Sequence, residues 1–168
     1  MLFVCSLSRL EETVARTRAE RVVSLLSAGT ALTRPAGVAA HHHLLLSMND
    51  IVEAQPDMTP PGQEHVERLI GFAREWDRGR PTVVHCFAGI SRSTAAAYII
   101  ASTLSPGRDE RELARALRLA SPSATPNPRL VALADGLLGR QGRMVEAIAA
   151  IGRGAEAFEG APFELAID

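Results

Sequence analysis

One segment in the middle of the chain combines a cysteine, a glycine and an arginine at a spacing suited to oxyanion chemistry. It reads Val83-Val84-His85-Cys86-Phe87-Ala88-Gly89-Ile90-Ser91-Arg92-Ser93. A cysteine thiolate is a strong nucleophile, and an arginine guanidinium can bind two oxygens of an anion at once. The residues between Cys86 and Arg92 allow successive backbone N–H groups to curl into an anion-binding cup. The pattern therefore predicts an oxyanion site with a nucleophile at its centre.

The elements on either side of this loop would support the same chemistry. The apolar run over 81–86 predicts a buried strand, and the largely apolar stretch over 91–104 predicts a buried helix. The first N–H groups of a helix are unpaired and carry a partial positive charge, which favours an anion in the cup and the thiolate form of Cys86. Gly89 permits a tight turn. Ser93 is placed to donate its hydroxyl to the sulfur when the sulfur becomes a leaving group.

Apolar patterning along the chain predicts the other elements. Short apolar runs indicate further strands over 2–6, 21–27 and 43–48. Helical spacing, and two capping boxes formed by Ser8 with Glu11 and by Asp109 with Glu112, indicate helices over 8–19, 61–79, 109–120, 127–138 and 144–151. Strands that alternate with helices predict an α/β domain over 1–155 with a central, mainly parallel sheet of four to five strands flanked by helices. Residues 156–168 are expected to form a frayed tail.

Composition excludes several classes of function. All 18 basic residues are arginine, so mechanisms that need a lysine amine are excluded. The net charge of −1 and the scarcity of aromatic residues argue against a nucleic-acid partner. No apolar run approaches the length of about 18 residues that a membrane span needs. Two cysteines do not make a disulfide framework, so a cytoplasmic location is expected.

The segment from His85 to Ser93 resembles the signature loop of the cysteine-dependent protein tyrosine phosphatase superfamily. The short chain and the ending Gly89-Ile90-Ser91-Arg92-Ser93 are most similar to the compact dual-specificity branch and its small bacterial relatives. The resemblance covers about 44–138, where Ser121-Pro122 and Pro126-Asn127 resemble the loop before that branch's last common helix. It implies a phosphocysteine intermediate on Cys86, and a phosphoryl group bound by Arg92 and the amides of residues 87–92. It also implies that His85 tunes the thiolate from behind without touching substrate.

The same resemblance calls for an aspartic acid that protonates the leaving oxygen and later activates water. Such an acid must lie at the same sheet edge as the nucleophile. Asp50 follows the strand predicted over 43–48 and is the favoured candidate, 36 residues before Cys86. Asp57, in the Pro-rich loop that follows, remains the rival.

Three other features carry weaker expectations. Cys5 also lies near the end of a short predicted strand, but the position six residues later is Glu11, so Cys5 is expected in the core, with a resolving thiol as the alternative. His41-His42-His43 cannot easily converge on one ion because adjacent strand residues point to opposite faces, so no metal site is expected. Arg129, after the Pro-rich break, is a minor candidate for a substrate contact.

The resulting hypothesis is a phosphomonoester hydrolase, of the protein-tyrosine or dual-specificity type, that needs no cofactor. Its partner would be a phosphorylated protein or a small phosphomonoester, because the 86–92 loop has no basic residue besides Arg92. The alternatives are a non-catalytic module that binds phosphorylated partners and a thiol enzyme of the rhodanese or arsenate-reductase type.

Overall fold

The computed structural model describes all 168 residues, whose strands and helices build one five-stranded sheet with helices on both faces. The elements are β1 Leu2–Ser6, α1 Leu10–Thr17, β2 Arg21–Leu26, β3 His43–Ser47, α2 Gln63–Arg74, β4 Thr82–Cys86, α3 Arg92–Leu104, α4 Glu110–Ala120, α5 Pro128–Leu137, α6 Arg143–Ile151 and β5 Phe163–Leu165. The strand order is β3-β2-β4-β1-β5. The first four of these strands run parallel, and β5 runs antiparallel to β1. The predicted α/β class and mainly parallel sheet are confirmed.

The core lies on both faces of the sheet. The larger cluster fills the face covered by α2 to α6, and the smaller one lies between the sheet and α1. Every residue of β4 is buried because this strand is central and both of its faces are covered. Helix α3 is buried over its first eleven residues, since it packs against the sheet and against α2, α4 and α5. No helix combines the length and the apolar character that crossing a membrane requires.

The C-terminal tail differs from the expectation of fraying over 156–168. Phe163–Leu165 forms β5, and it pairs with β1 in the register Leu2 with Leu165 and Val4 with Phe163. The side chains of Phe163, Leu165 and Ile167 are buried. This pairing satisfies the backbone groups along the outer edge of β1, which would otherwise be open. The folded part of the chain therefore extends beyond residue 155.

The two predicted capping boxes have different outcomes. Asp109 caps α4, and its carboxylate accepts hydrogen bonds from the backbone N–H groups of Arg111 and Glu112. Ser8 does not cap α1, which begins at Leu10 after a 3-10 turn over Leu7–Arg9. The Ser8 hydroxyl instead donates to the Glu159 carboxylate, so a contact distant in sequence replaces the local cap.

Parallel strands bring their carboxyl ends to one edge of the sheet. The register of β2 with β3 and with β4 places Leu26, Ser47 and Cys86 at that edge. The residues that follow these strands therefore surround the start of α3.

Candidate active site

The 86–92 loop is folded with most of its carbonyl groups pointing outward, each one paired. The acceptors and their donors are Cys86 O with His85 Nδ1, Phe87 O with Leu7 N, Ala88 O with Gly160 N, Ile90 O with Thr125 N, and Ser91 O with Asn127 N. In a planar trans peptide the N–H points opposite to the preceding carbonyl. The N–H groups that follow these carbonyls therefore point into the loop. One of them, Gly89 N–H, lies 3.3 Å from the Cys86 sulfur.

Gly89 is required by this conformation. Its φ is +73°, in the region that residues with a side chain rarely adopt. A Cβ at this position would lie 2.8 Å from the backbone nitrogen of Ser6 and 2.9 Å from the carbonyl carbon of Cys5. Any side chain here would push the loop away from the end of β1.

Cys86 lies at the end of β4 with its sulfur at the floor of the cup. The residue is buried, and its Sγ lies 3.1 Å from the Oγ of Ser93, in the first turn of α3. Ser93 is itself completely buried, so its hydroxyl has few other partners. The Cys86 sulfur therefore has two hydrogen-bond partners, the Ser93 hydroxyl and the Gly89 amide, and both of these groups are able to donate to it.

Arg92 lies at the first position of α3 and is anchored by the ends of two other strands. Its Nη1 donates to Met48 O at 2.8 Å and to Ser27 Oγ at 3.3 Å. Its Nε is buried and has no hydrogen-bond partner within the protein. A buried donor without a partner is costly, and an anion bound next to Arg92 would supply the missing acceptor.

Asp50 lies beside the loop, as the strand-end argument predicts. Its Oδ1 accepts a hydrogen bond from the Ser91 hydroxyl at 2.8 Å and another from the Asn127 side-chain amide at 2.8 Å. Both bonds fall on Oδ1, and Oδ2 has no hydrogen-bond partner within the protein. Asp57 lies in a left-handed turn at φ +58° and makes no hydrogen bond with the 86–92 loop.

Asn127 connects three parts of the site. Its side-chain oxygen caps α5 by accepting from the N–H groups of Arg129 and Leu130. Its amide donates to Asp50 and, at 3.2 Å, to Ile51 O. The sequence places Asn127 before a helix, but nothing local indicates that its other end would hold Asp50.

The Arg129 side chain, a candidate substrate contact in the sequence, is instead bonded to backbone carbonyls. Its Nε donates to Pro61 O at 2.6 Å, and its Nη1 donates to Val52 O at 3.0 Å. These bonds brace the two ends of the segment that follows Asp50. Arg129 is therefore a support of that segment.

His85 lies under the loop in a chain of hydrogen bonds across three strands. Its Nε2 lies 2.6 Å from Ser24 Oγ, which lies 2.8 Å from His43 Nε2. Burial lowers the pKa of His85 to about 4, so the ring is neutral at pH 7. Because Nδ1 faces the Cys86 carbonyl at 3.2 Å, the network assigns the proton to Nδ1. Ser24 then donates to Nε2 and accepts from His43, and sequence reasoning missed both partners.

Cys5 lies on the other face of the sheet from Cys86. It is the register partner of His85, so the two side chains share a face, whereas Cys86 points to the opposite face. Cys5 packs in the cluster beneath α1, and burial raises the pKa of its thiol to about 12. The structure thus leaves the two sulfurs on different faces.

The histidine triplet is dispersed. His41 and His42 stack with ring centroids 4.2 Å apart, while His43 turns inward to Ser24. The protein contains no group of three His, Cys, Asp or Glu side chains that could hold a metal ion.

Comparison with known proteins shows similarity at the level of structure. No protein-family model matches the chain, and no curated protein matches it significantly. Human DUSP28 superposes with a TM-score of 0.58 and 23% identity, over 90% of this chain and 95% of that one. A mouse putative dual specificity phosphatase, complexed with zinc tungstate, superposes at 0.63 with 21% identity, over 88% of this chain and 86% of that one. The PTP-2 phosphatase of Cydia pomonella superposes at 0.60 with 21% identity, over 80% of this chain and 84% of that one. This chain therefore has the fold of the compact dual-specificity phosphatases.

Proposed function

We propose that this protein is a phosphomonoester hydrolase that works through a phosphocysteine intermediate on Cys86. The observation that carries the proposal is the 86–92 loop, whose paired carbonyls leave N–H groups directed into the loop. Gly89 N lies 3.3 Å from the Cys86 sulfur, and the buried Nε of Arg92 has no partner within the protein. A phosphoryl group has three peripheral oxygens to accept these donors. The same donors bind the transition state, in which negative charge spreads over those oxygens.

In the first step the Cys86 thiolate attacks phosphorus, and a sulfur–phosphorus bond forms. The bond between phosphorus and the leaving oxygen breaks on the opposite side. Asp50 donates the proton on its carboxyl group to that oxygen, so the product leaves as a neutral alcohol or phenol. The hydrogen bonds from Ser91 and Asn127 hold Oδ1 and fix the direction of Oδ2.

In the second step the Asp50 carboxylate removes a proton from water as the water oxygen attacks phosphorus. The sulfur–phosphorus bond breaks, and the electron pair returns to sulfur. Ser93 Oγ, 3.1 Å from the sulfur, donates to the thiolate as it forms and makes it a better leaving group. Inorganic phosphate leaves, and Asp50 again carries the proton.

We infer that the physiological substrate is a phosphorylated protein, with phosphotyrosine as the favoured residue. The variable positions of the loop are Phe87, Ala88, Gly89, Ile90 and Ser91, and none carries a positive charge. The loop therefore offers one cationic group, Arg92, which suits a single phosphate. A thiolate nucleophile needs reducing surroundings, so we expect the protein to work in the cytoplasm.

The test is hydrolysis of para-nitrophenyl phosphate by the pure, reduced protein in the presence of EDTA. We expect turnover that vanadate inhibits and that Cys86→Ser abolishes, because serine at that position is not ionised. Cys5→Ser is the matched control, since Cys5 lies on the opposite face of the sheet, and it should retain turnover. Turnover that survives in Cys86→Ser contradicts the covalent mechanism. A folded wild-type protein that binds vanadate without turnover supports the phospho-binding module instead.

A further inference from the structure

A groove lies beside the 86–92 loop, on the side of β1. Its walls and rim are formed by Leu7, Ser8, Phe87, Ala88, Phe158 and Glu159, and its volume is about 430 Å³. Phe87 and Ala88 directly follow the nucleophile in sequence. A molecule whose phosphate occupies the cup therefore passes close to this aromatic groove.

Phe158 is the most exposed large apolar side chain in the protein, at full exposure. Its backbone nevertheless belongs to a segment fixed on both sides. Ala155 N donates to Pro122 O at 2.9 Å, and Gly160 N donates to Ala88 O at 2.8 Å. The approach at Gly160 is so close that a Cβ there would lie 2.7 Å from Gly89 O. An exposed aromatic ring on a segment tied to the 86–92 loop is typical of a binding surface.

The groove carries a negative charge. Glu159 is exposed, and its Oε1 accepts hydrogen bonds from the hydroxyls of Ser6 and Ser8. Its Oε2 is left for a further partner. No residue lining the groove is basic, and the nearby Arg9 is already paired with Glu12 at 2.8 Å. A ligand that complements this surface therefore has an apolar group with a positively charged group next to it.

We propose that the aromatic groove binds the peptide segment next to the phosphorylated residue of a protein substrate, with an apolar side chain against Phe158 and a basic side chain at Glu159. The proposal rests on the proposed function and makes Phe158 a specificity-determining residue. A peptide fits better than a membrane surface because the groove's charge repels anionic lipid headgroups, and the lining offers no arginine to bind them.

The experiment compares kcat/KM for three phosphotyrosine peptides of equal length. The phosphotyrosine is flanked by leucine and arginine in the first, by leucine and glutamate in the second, and by serine and arginine in the third. Para-nitrophenyl phosphate is measured in the same preparations as a substrate without flanking residues. Phe158→Ala is the test variant, and Leu119→Ala is its matched control because Leu119 is also an exposed apolar side chain but lies on α4, outside the groove.

We expect the wild-type protein to prefer the first peptide over both others. Phe158→Ala should lower kcat/KM for the first peptide, relative to para-nitrophenyl phosphate, by roughly five- to tenfold, as expected for partial loss of one buried aromatic contact. Glu159→Gln should lower the preference for arginine over glutamate by roughly two- to threefold, as expected for an exposed charge pair. Leu119→Ala should leave the three ratios as they are in the wild type.

The outcomes separate the groove from the catalytic proposal. If Phe158→Ala turns over para-nitrophenyl phosphate normally and its kcat/KM ratios among the three peptides equal those of the wild type, the peptide-binding role of the groove is overturned and the proposed function stays intact. If Phe158→Ala leaves the peptide ratios unchanged but lowers kcat/KM for phosphatidylinositol phosphate in vesicles, Phe158 belongs to a membrane-binding surface and the peptide assignment is overturned. Absence of all turnover overturns the proposed function. In that case the Kd of each of the three peptides is measured for the wild-type and Phe158→Ala proteins. The groove proposal then predicts the same preference for the first peptide in the Kd values, and the loss of that preference in Phe158→Ala.

Discussion

The buried His85 should make the stability of the fold depend on pH. Its pKa is lowered by burial to about 4 in the folded protein, against about 6.5 for an unfolded chain. The unfolded state therefore binds a proton before the folded state does as pH falls. The stabilisation is complete above about pH 6.5 and is lost progressively as pH falls toward 4. Between about pH 7.5 and about pH 5 this one group should reduce the free energy of unfolding by about 2 kcal/mol.

The assay is urea unfolding of wild type and His85→Gln at both pH values, compared as the change in unfolding free energy of each protein. Between the two pH values the free energy of unfolding of the wild type should fall by about 2 kcal/mol more than that of His85→Gln. This difference does not depend on how much the substitution destabilises the fold at neutral pH. His41→Gln is the control, because His41 is exposed, and it should lose as much as wild type. An NMR titration should show His85 neutral down to about pH 4. Equal losses in wild type and His85→Gln would refute the reasoning that a neutral imidazole is buried under the loop.

Three further predictions concern the machinery around Cys86. Arg92→Lys should lower kcat/KM for para-nitrophenyl phosphate by roughly 10²- to 10³-fold, because an ammonium cannot replace the fork that pairs with two oxygens; near wild-type activity contradicts this. Asp50→Asn should lower kcat by roughly 10²- to 10⁴-fold for phosphotyrosine and far less for an aryl phosphate with a very good leaving group, whereas equal losses speak against an acid role. Asn127→Ala should lower kcat for phosphotyrosine, and it should lower the free energy of unfolding by about 1 kcal/mol because α5 loses its cap. In the Asp50→Asn background the same substitution should lower kcat no further. An additive loss of kcat there contradicts the idea that Asn127 positions Asp50.

The architecture was readable from the sequence wherever local patterns decide structure. Apolar runs identify the first four strands because each is buried on at least one face, and Pro81–Cys86 differs from β4 only at its first residue. The position of Asp50 next to the 86–92 loop follows from topology, since parallel strands end at one edge. A short motif, a strand before it and a helix after it were enough to place the loop.

Contacts between distant segments were not readable in the same way. Strand β5 has three residues, too few for a periodicity, and it exists because the edge of β1 is available for pairing. The Ser8 hydroxyl reaches Glu159, and no local rule distinguishes this contact from a cap. The link from His43 through Ser24 to His85 depends on register across three strands, which the individual segments do not reveal.

The central claim is that Cys86 carries the phosphoryl group during turnover, and rapid quenching tests it most directly. The Asp50→Asn protein is mixed with para-nitrophenyl phosphate, quenched in acid, digested and analysed by mass spectrometry. The missing general base should slow hydrolysis of the intermediate more than its formation from such a good leaving group. The account predicts the peptide that contains Cys86 with the added mass of one phosphoryl group, and none of it in Cys86→Ser. Continued turnover in Asp50→Asn with phosphate on another residue, or on none, would contradict the account.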